Sequence, residues 1–165
     1  MGIDTNDHAA VERRLWDEIE RHQVGMLGLS GGASQHTQPM TAFVEPENNQ
    51  IWFFTRTDTD LARELGEGRS AMFVFQHRDV QACIAGDLAL QYDRARIDRY
   101  WNAVVAAWYP DGREDPRLTL LCLDCTDAQV WISEAGPMRF AWEIAKANTI
   151  HKRPQLGGRA HLNFH

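Results

Sequence analysis

Three threonines, Thr55, Thr57 and Thr59, lie close together in Thr55-Arg56-Thr57-Asp58-Thr59-Asp60-Leu61. They follow the apolar run Ile51-Trp52-Phe53-Phe54 and lead into Leu61-Ala62-Arg63-Glu64-Leu65. A strand that ends in hydroxyls and opens directly into a helix offers side-chain donors and free backbone N–H groups at the positive end of a helix dipole. That is the chemistry of phosphate binding. The same Thr and Asp residues also suit N-terminal capping, which a helix needs with or without a ligand.

The other chemistry-bearing residues are less organised. None of the seven histidines has a metal-ligand spacing such as H-x-x-x-H with an acid, so no metal is expected. His36 and His77 fall at strand ends near the expected pocket, without a sequence-evident base or nucleophile partner. Cys122-Leu123-Asp124-Cys125 has C-x-x-C spacing, but in a strand residues three apart face opposite ways. No second pair completes a zinc site, so these two and Cys83 read as reduced, buried side chains. Ser30-Gly31-Gly32 lacks the rest of a phosphate or dinucleotide fingerprint and reads as a turn. No catalytic acid, base or nucleophile is identified. A bound cofactor performing the chemistry is compatible with that.

The 165 residues, 44% hydrophobic and 24% charged, describe one globular domain over 1–150, followed by a tail at 151–165. A net charge of −6 argues against a nucleic-acid surface, which needs a basic face. No apolar run reaches membrane-span length and no secretory h-region is evident, so no membrane contact and a cytoplasmic location are expected. Six tryptophans, at 16, 52, 101, 108, 131 and 142, are core filler or the walls of a site for a flat aromatic ligand.

Periodicity places the elements. Asp7 caps a helix to about residue 23, with Val11, Leu15 and Ile19 as its apolar stripe. Strands are expected at 24–29, 36–44, 51–55, 71–76 and 80–90. Pro39 implies an edge position or a local break in the ladder, and Gly86 a bulge or sharp bend. A short helix covers 59–65. One longer helix follows Asp93, with Ile97, Trp101, Val104, Val105 and Trp108 on one face. A final hairpin pairs 118–124 with 129–133, and Pro137 starts a last helix. Six or seven short strands joined by tight turns indicate a mainly β (α+β) fold, an antiparallel barrel with peripheral helices.

The order of four segments resembles the FMN-binding split β-barrel, specifically the general stress proteins related to pyridoxamine 5′-phosphate oxidase. Gln38-Pro39-Met40 stands where that family has Arg-Pro-Met. Ile51–Thr55 is similar to its aromatic strand ending in Thr. Gly86–Arg94 matches its Gly-containing strand and Asp-Arg helix start, and Trp101-Asn102 with Trp108–Gly112 and Asp115-Pro116 matches its helix and following loop. The likeness covers residues 8–133. It implies a homodimer with FMN in a cleft between the chains, a small-molecule partner, and oxidoreductase or flavin reductase activity without pyridoxamine phosphate oxidase activity. The alternatives are a non-enzymatic binder of flavin, deazaflavin or tetrapyrrole, or a barrel that has lost its cofactor.

By that resemblance the cofactor residues are Gln38, Pro39, Met40, Trp52, Phe53, Phe54, Thr55, Thr59, Asp60, Leu61, Trp108 and Tyr109, with Trp108 or Tyr109 of the partner chain closing over the ring. Two departures bear on the phosphate. Gln38 replaces the Arg, and the Lys position falls at or near Leu61. Removing two cations and adding Asp58 and Asp60 weakens phosphate binding by several kcal/mol, on the order of a thousandfold. Arg56 and Arg63 are the nearby cations that could compensate.

Overall fold

The Asp7 carboxylate accepts the Ala10 N–H at 3.0 Å and starts the first helix, α1 (His8–His22). Val11, Leu15, Trp16 and Ile19 recur on one face of it and are buried, as helical periodicity requires. The computed structural model describes residues 3–31, 36–133, 137–150 and 157–165, the side chains of 137–140 and 150 excepted. The expected turn at 30–34 lies largely outside the described residues.

The strand expected over 36–44 is two strands. After β1 (Val24–Leu29), β2 (Gln38–Thr41) returns antiparallel to it, and β3 (Phe43–Glu45) follows after a single residue. That residue, Ala42, leaves both ladders. Its N–H donates to the Gln23 carbonyl at 2.8 Å, and its carbonyl accepts from the Gln23 amide at 3.4 Å. Its backbone polar groups are thus satisfied without strand pairing.

β4 (Gln50–Arg56), α2 (Asp60–Leu65), β5 (Arg69–His77) and β6 (Val80–Gln91) come next. β7 (Leu118–Ile132) completes the sheet path, and all neighbours pair antiparallel in the order β2-β1-β5-β6-β7-β4-β3. Pro39 lies on an end strand, where a missing N–H breaks no ladder. β2 and β3 are joined through one residue yet stand at opposite ends of the path, so the sheet curls into a split barrel.

Two further expectations are corrected. The helix after Asp93 is α3 (Arg94–Tyr100) and α4 (Ala103–Trp108), separated at Trp101-Asn102. Asn102 takes extended backbone, and its side chain accepts the Val104 and Val105 N–H groups, both at 2.9 Å. An Asn that can cap two donors starts a new helix rather than continuing the old one. Ile97 and Val105 are buried as the apolar stripe required, but Val104 and Trp108 are exposed, Trp108 by 78%.

The second correction concerns the final hairpin, which is the single strand β7. The chain runs on from Asp124 to Gln129 without reversing direction, and 125–128 lacks the Gly that a tight two-residue hairpin turn favours. Instead the register against β6 shifts between Ala85 and Gly86, which pair with Asp127 and Cys125. Thr126 is left out of the ladder and its hydroxyl donates to the Ala85 carbonyl at 3.2 Å. The bulge expected at Gly86 is therefore present. A Cβ there would collide with the Asp124 carbonyl. The last helix is α5 (Pro137–Ile150), and part of the expected tail forms β8 (Gly158–Asn163), which pairs with β7.

β4 is buried on both faces. Ile51 and Phe53 enter the main core with Phe73, Leu121 and Leu123. Trp52 and Phe54 enter a second core beneath Ile97 and Val105. This second core is clamped by Glu45, which is only 2% exposed. Its carboxylate accepts from Arg96 Nε at 2.9 Å and Nη2 at 2.8 Å, from the Tyr100 hydroxyl at 2.6 Å, and from Asn48 at 3.0 Å. Arg96 also lies 4.2 Å from the Trp52 ring centroid.

Hydrogen bonding by Arg96 outweighs burial and holds the Glu45 carboxyl down at about 2. A carboxyl whose pKa falls on folding contributes stability that is complete above its unfolded value of 4.5 and lost as pH falls toward about 2. The shift corresponds to ~3 kcal/mol. Glu45→Gln is expected to lower stability at pH 7 by about 2–3 kcal/mol in urea unfolding. The gap to the unsubstituted protein closes as pH falls through that window. A gap that persists unchanged at low pH would mean the carboxylate charge is not what clamps the helices.

Candidate functional site

The end of β4, the first turn of α2 and the edge of β2 meet around a cleft of about 920 Å³. β2 supplies Gln38 and Met40, β4 supplies Phe54 and Thr55, and the α2 start supplies Thr59, Asp60 and Leu61. Tyr109, just past α4 and expected from a partner chain as the alternative to Trp108, lines the cleft of its own chain. A second, more apolar cavity of about 450 Å³ adjoins it and shares Met40, Phe54 and Tyr109, adding Pro39 and Trp108. Trp52 and Phe53, expected at the site, line neither cavity. Phe53 packs on Phe73 at 5.3 Å between centroids, and Trp52 lies beneath Arg96. Strand alternation sends Phe53 into the barrel, and Trp52 is two residues farther back along the strand than the cleft-lining Phe54.

The hydroxyls have committed geometry. Thr59 donates to the Arg56 carbonyl at 3.0 Å and accepts the Ala62 N–H at 3.2 Å as the α2 cap. Its single proton is therefore engaged, so Thr55 is the donor in the 3.3 Å Thr55–Thr59 contact. Thr55 must release that bond to donate to an anion. α2 itself has only six residues, less than two turns.

The charges are arranged unfavourably for a phosphate. Arg56, considered as a compensating cation, is held by both Asp58 oxygens at 3.0 and 2.8 Å and does not line the cleft. That Arg56 contact keeps the Asp58 carboxyl below its usual range. Arg63 does line the cleft, with a 3.4 Å contact to Asp60 in which both partners are largely exposed. Such a pair is weak and leaves the guanidinium available. Glu64, one helical turn from Asp60, also faces the cleft and lies 3.7 Å from Arg69. The described lining thus carries one arginine, two carboxylates and no lysine. Glu64 could have been found from the helical period of α2, whereas Val24 and Phe43 reach the second cavity only through tertiary packing.

Burial pushes the Tyr109 phenol up to about 12, so it is a hydrogen-bond donor at neutral pH rather than a base. Burial likewise pushes the Cys122 thiol up to about 12 and raises Cys125 further. These two lie in different cores, on opposite faces of β7 as alternation requires. Among the described residues no helix is long and apolar enough to cross a membrane.

Known proteins share this architecture. The family model for pyridoxamine 5′-phosphate oxidase-like proteins matches residues 10–155. A protein of Jannaschia sp. CCS1 assigned as general stress protein 26 superposes with a TM-score of 0.78, at 32% identity over 94% of this chain and 99% of that one. The general stress FMN/FAD binding protein of Xanthomonas citri superposes with a TM-score of 0.71, at 40% identity over 78% of this chain and 92% of that one. General stress protein 26 of Bacillus subtilis is 22% identical over 125 residues, 73% of this chain and 87% of its own length. A match that spans most of the sequence, together with a shared curled sheet, decides the matter: this chain belongs to the pyridoxamine 5′-phosphate oxidase-like family.

Proposed function

We propose that this chain is an FMN-binding protein of the general stress type, working as a homodimer, with the flavin as its redox group and without pyridoxamine phosphate oxidase activity. The observation that carries this reading is the pair of adjoining cavities, one of mixed polarity and one mainly apolar, that share Met40, Phe54 and Tyr109. A ribityl phosphate requires hydroxyls and a cation, and a flat ring requires an apolar slot, side by side. Related structures named as an FMN/FAD binding protein and as an FMN binding protein of Nostoc punctiforme support it.

In this reading Thr55, Gln38 and Arg63 face the phosphate. Met40, Phe54 and Tyr109 hold the ring and exclude water, and the protonated Tyr109 phenol offers a donor. A bound flavin would supply the electron or hydride transfer, so these residues need only place it and tune its surroundings. A second reading follows from Asp60 and Glu64. Their charge favours a flat ligand anchored through its ring, such as riboflavin, a deazaflavin or a tetrapyrrole, held without turnover.

The homodimer has its own support. Val24 and Met26 of β1 and Met72 and Val74 of β5 are exposed on one outward sheet face, with Met26 opposite Val74. Val24 also lines the apolar cavity beside Val104 and Trp108. A contiguous exposed apolar face of this kind marks a protein interface. In the proposed dimer, Trp108 of each chain closes over the partner's cleft.

Freshly purified protein is expected to absorb at about 375 and 450 nm, or to bind added FMN with micromolar affinity by fluorescence titration. Arg63→Gln should weaken FMN about tenfold, ~1.4 kcal/mol, and leave riboflavin unchanged, while Asp60→Asn should tighten FMN. Equal affinity for FMN and riboflavin would favour the ring-anchored reading, and a colourless protein that ignores both would overturn flavin binding. NAD(P)H oxidation above the no-protein rate in the presence of FMN is expected of a reductase, and its absence leaves a binder.

Sedimentation should give a dimer at micromolar concentration. The double substitution Met26→Asp and Val74→Asp should yield a folded monomer with at least tenfold weaker FMN binding. A monomeric unsubstituted protein would remove both the interface and the shared cleft.

A further inference from the structure

Away from the cleft, the last turns of α1 meet the end of β5 at a cluster of three potential metal ligands. Glu18 and His22 lie one helical turn apart on the same face of α1, and His77 ends β5. One potential ligand atom from each of the three lies within 4.8 Å of the others. Glu18 Oε2 is 3.5 Å from His22 Nε2 and 3.5 Å from His77 Nδ1. Tetrahedral zinc with bonds of about 2.0–2.2 Å places its ligand atoms about 3.3–3.5 Å apart, so these two separations are close to what one ion needs.

Two further features point the same way. His77 Nδ1 is buried and has no hydrogen-bond partner, a costly arrangement for a ring nitrogen aimed at a carboxylate. Arg14 Nη2 holds the other Glu18 oxygen at 3.0 Å, which orients Oε2 toward the histidines in the way outer partners fix metal-ligating carboxylates. Glu18 is almost fully buried while both histidines are partly exposed, so a hydrated ion has a route in.

We infer that Glu18, His22 and His77 form a binding site for a divalent first-row transition ion, zinc being the natural occupant, with the fourth position open to water. The ion ties the end of α1 to the end of β5. The imidazoles are stacked, with centroids 3.4 Å apart and planes 20° from parallel. A shared ion must lie near both ring planes, so binding rotates at least one ring out of the stack. The sequence did not announce this site, because Glu-x-x-x-His supplies only two ligands and the third arrives from β5. The site is independent of the proposed flavin function.

Zinc titrated calorimetrically into chelator-treated full-length protein is expected to bind one ion per chain at micromolar or tighter Kd and to raise Tm by several degrees. His22→Gln and His77→Gln, both partly exposed positions, should each weaken binding at least tenfold with circular dichroism unchanged. His8→Gln and His161→Gln should leave it intact. Cobalt(II) should give the visible bands of a four-coordinate ion with the unsubstituted protein only. No zinc binding would overturn the site. Binding that survives both His22→Gln and His77→Gln would overturn it too, placing the ion on other surface histidines.

Discussion

A single residue, Ala42, joins the two strands that stand at opposite ends of the sheet. One peptide step covers about 3.8 Å. A flat path of seven strands, with neighbours ~4.8 Å apart, would separate its edges by roughly 29 Å. The sheet must therefore curl until its ends nearly meet, and the bulge at Thr126 opposite Gly86 supplies part of the bend. At the seam the ladder cannot satisfy Ala42, and the end of α1 does so through Gln23. The cleft sits beside this seam, because closure brings Gln38 and Met40 of one end strand to Phe54 and Thr55 next to the other end.

Burial of β4 on both faces has a second consequence. Its outer face needs a cover, and α3 and α4 provide it over Trp52 and Phe54. That cover is held by Glu45, whose charge is matched by Arg96 and Tyr100 from α3. A buried ion pair is a poor source of net stability compared with apolar packing, but it fixes geometry because neither charge tolerates loss of the other. Here it fixes the helix pair whose end carries Trp108 and Tyr109. The break at Asn102 then decides that Trp108 is presented to solvent, beside the apolar cavity, instead of being packed inside.

The electrostatics of the cleft depart from a strongly anchored phosphate site. Arg56 and Arg117 are engaged by Asp58 and Asp115 outside it, while Arg63 alone among the described arginines faces the cleft. Thr59 is committed to capping α2 and Thr55 to Thr59. The polar end therefore carries one available cation, Arg63, and hydroxyls already engaged with each other, beside the more apolar walls of the adjoining cavity.

Much of this was legible in the chain. Asp7, Thr59 and Asp93 marked helix starts, Pro39 an edge strand and Gly86 a bulge, because each acts through its own backbone geometry or its nearest neighbours. Of the aromatic strand and the threonines after it, Phe54, Thr55 and Thr59 line the cleft, whereas Trp52 and Phe53 do not. The split of the helix at Asn102 and the continuity of β7 were not legible, since capping against continuation, and bulge against turn, are decided by what the flanking residues pack on. The sequence determined which residues carry hydroxyls, rings and charges, and the local elements that bear them. Only the tertiary structure decided that Arg63 faces the cleft while Arg56 does not, that Phe53 turns into the barrel, and that His77 meets Glu18 and His22. Those outcomes depend on curling the sheet until distant strands touch, a long-range constraint that no local spacing encodes.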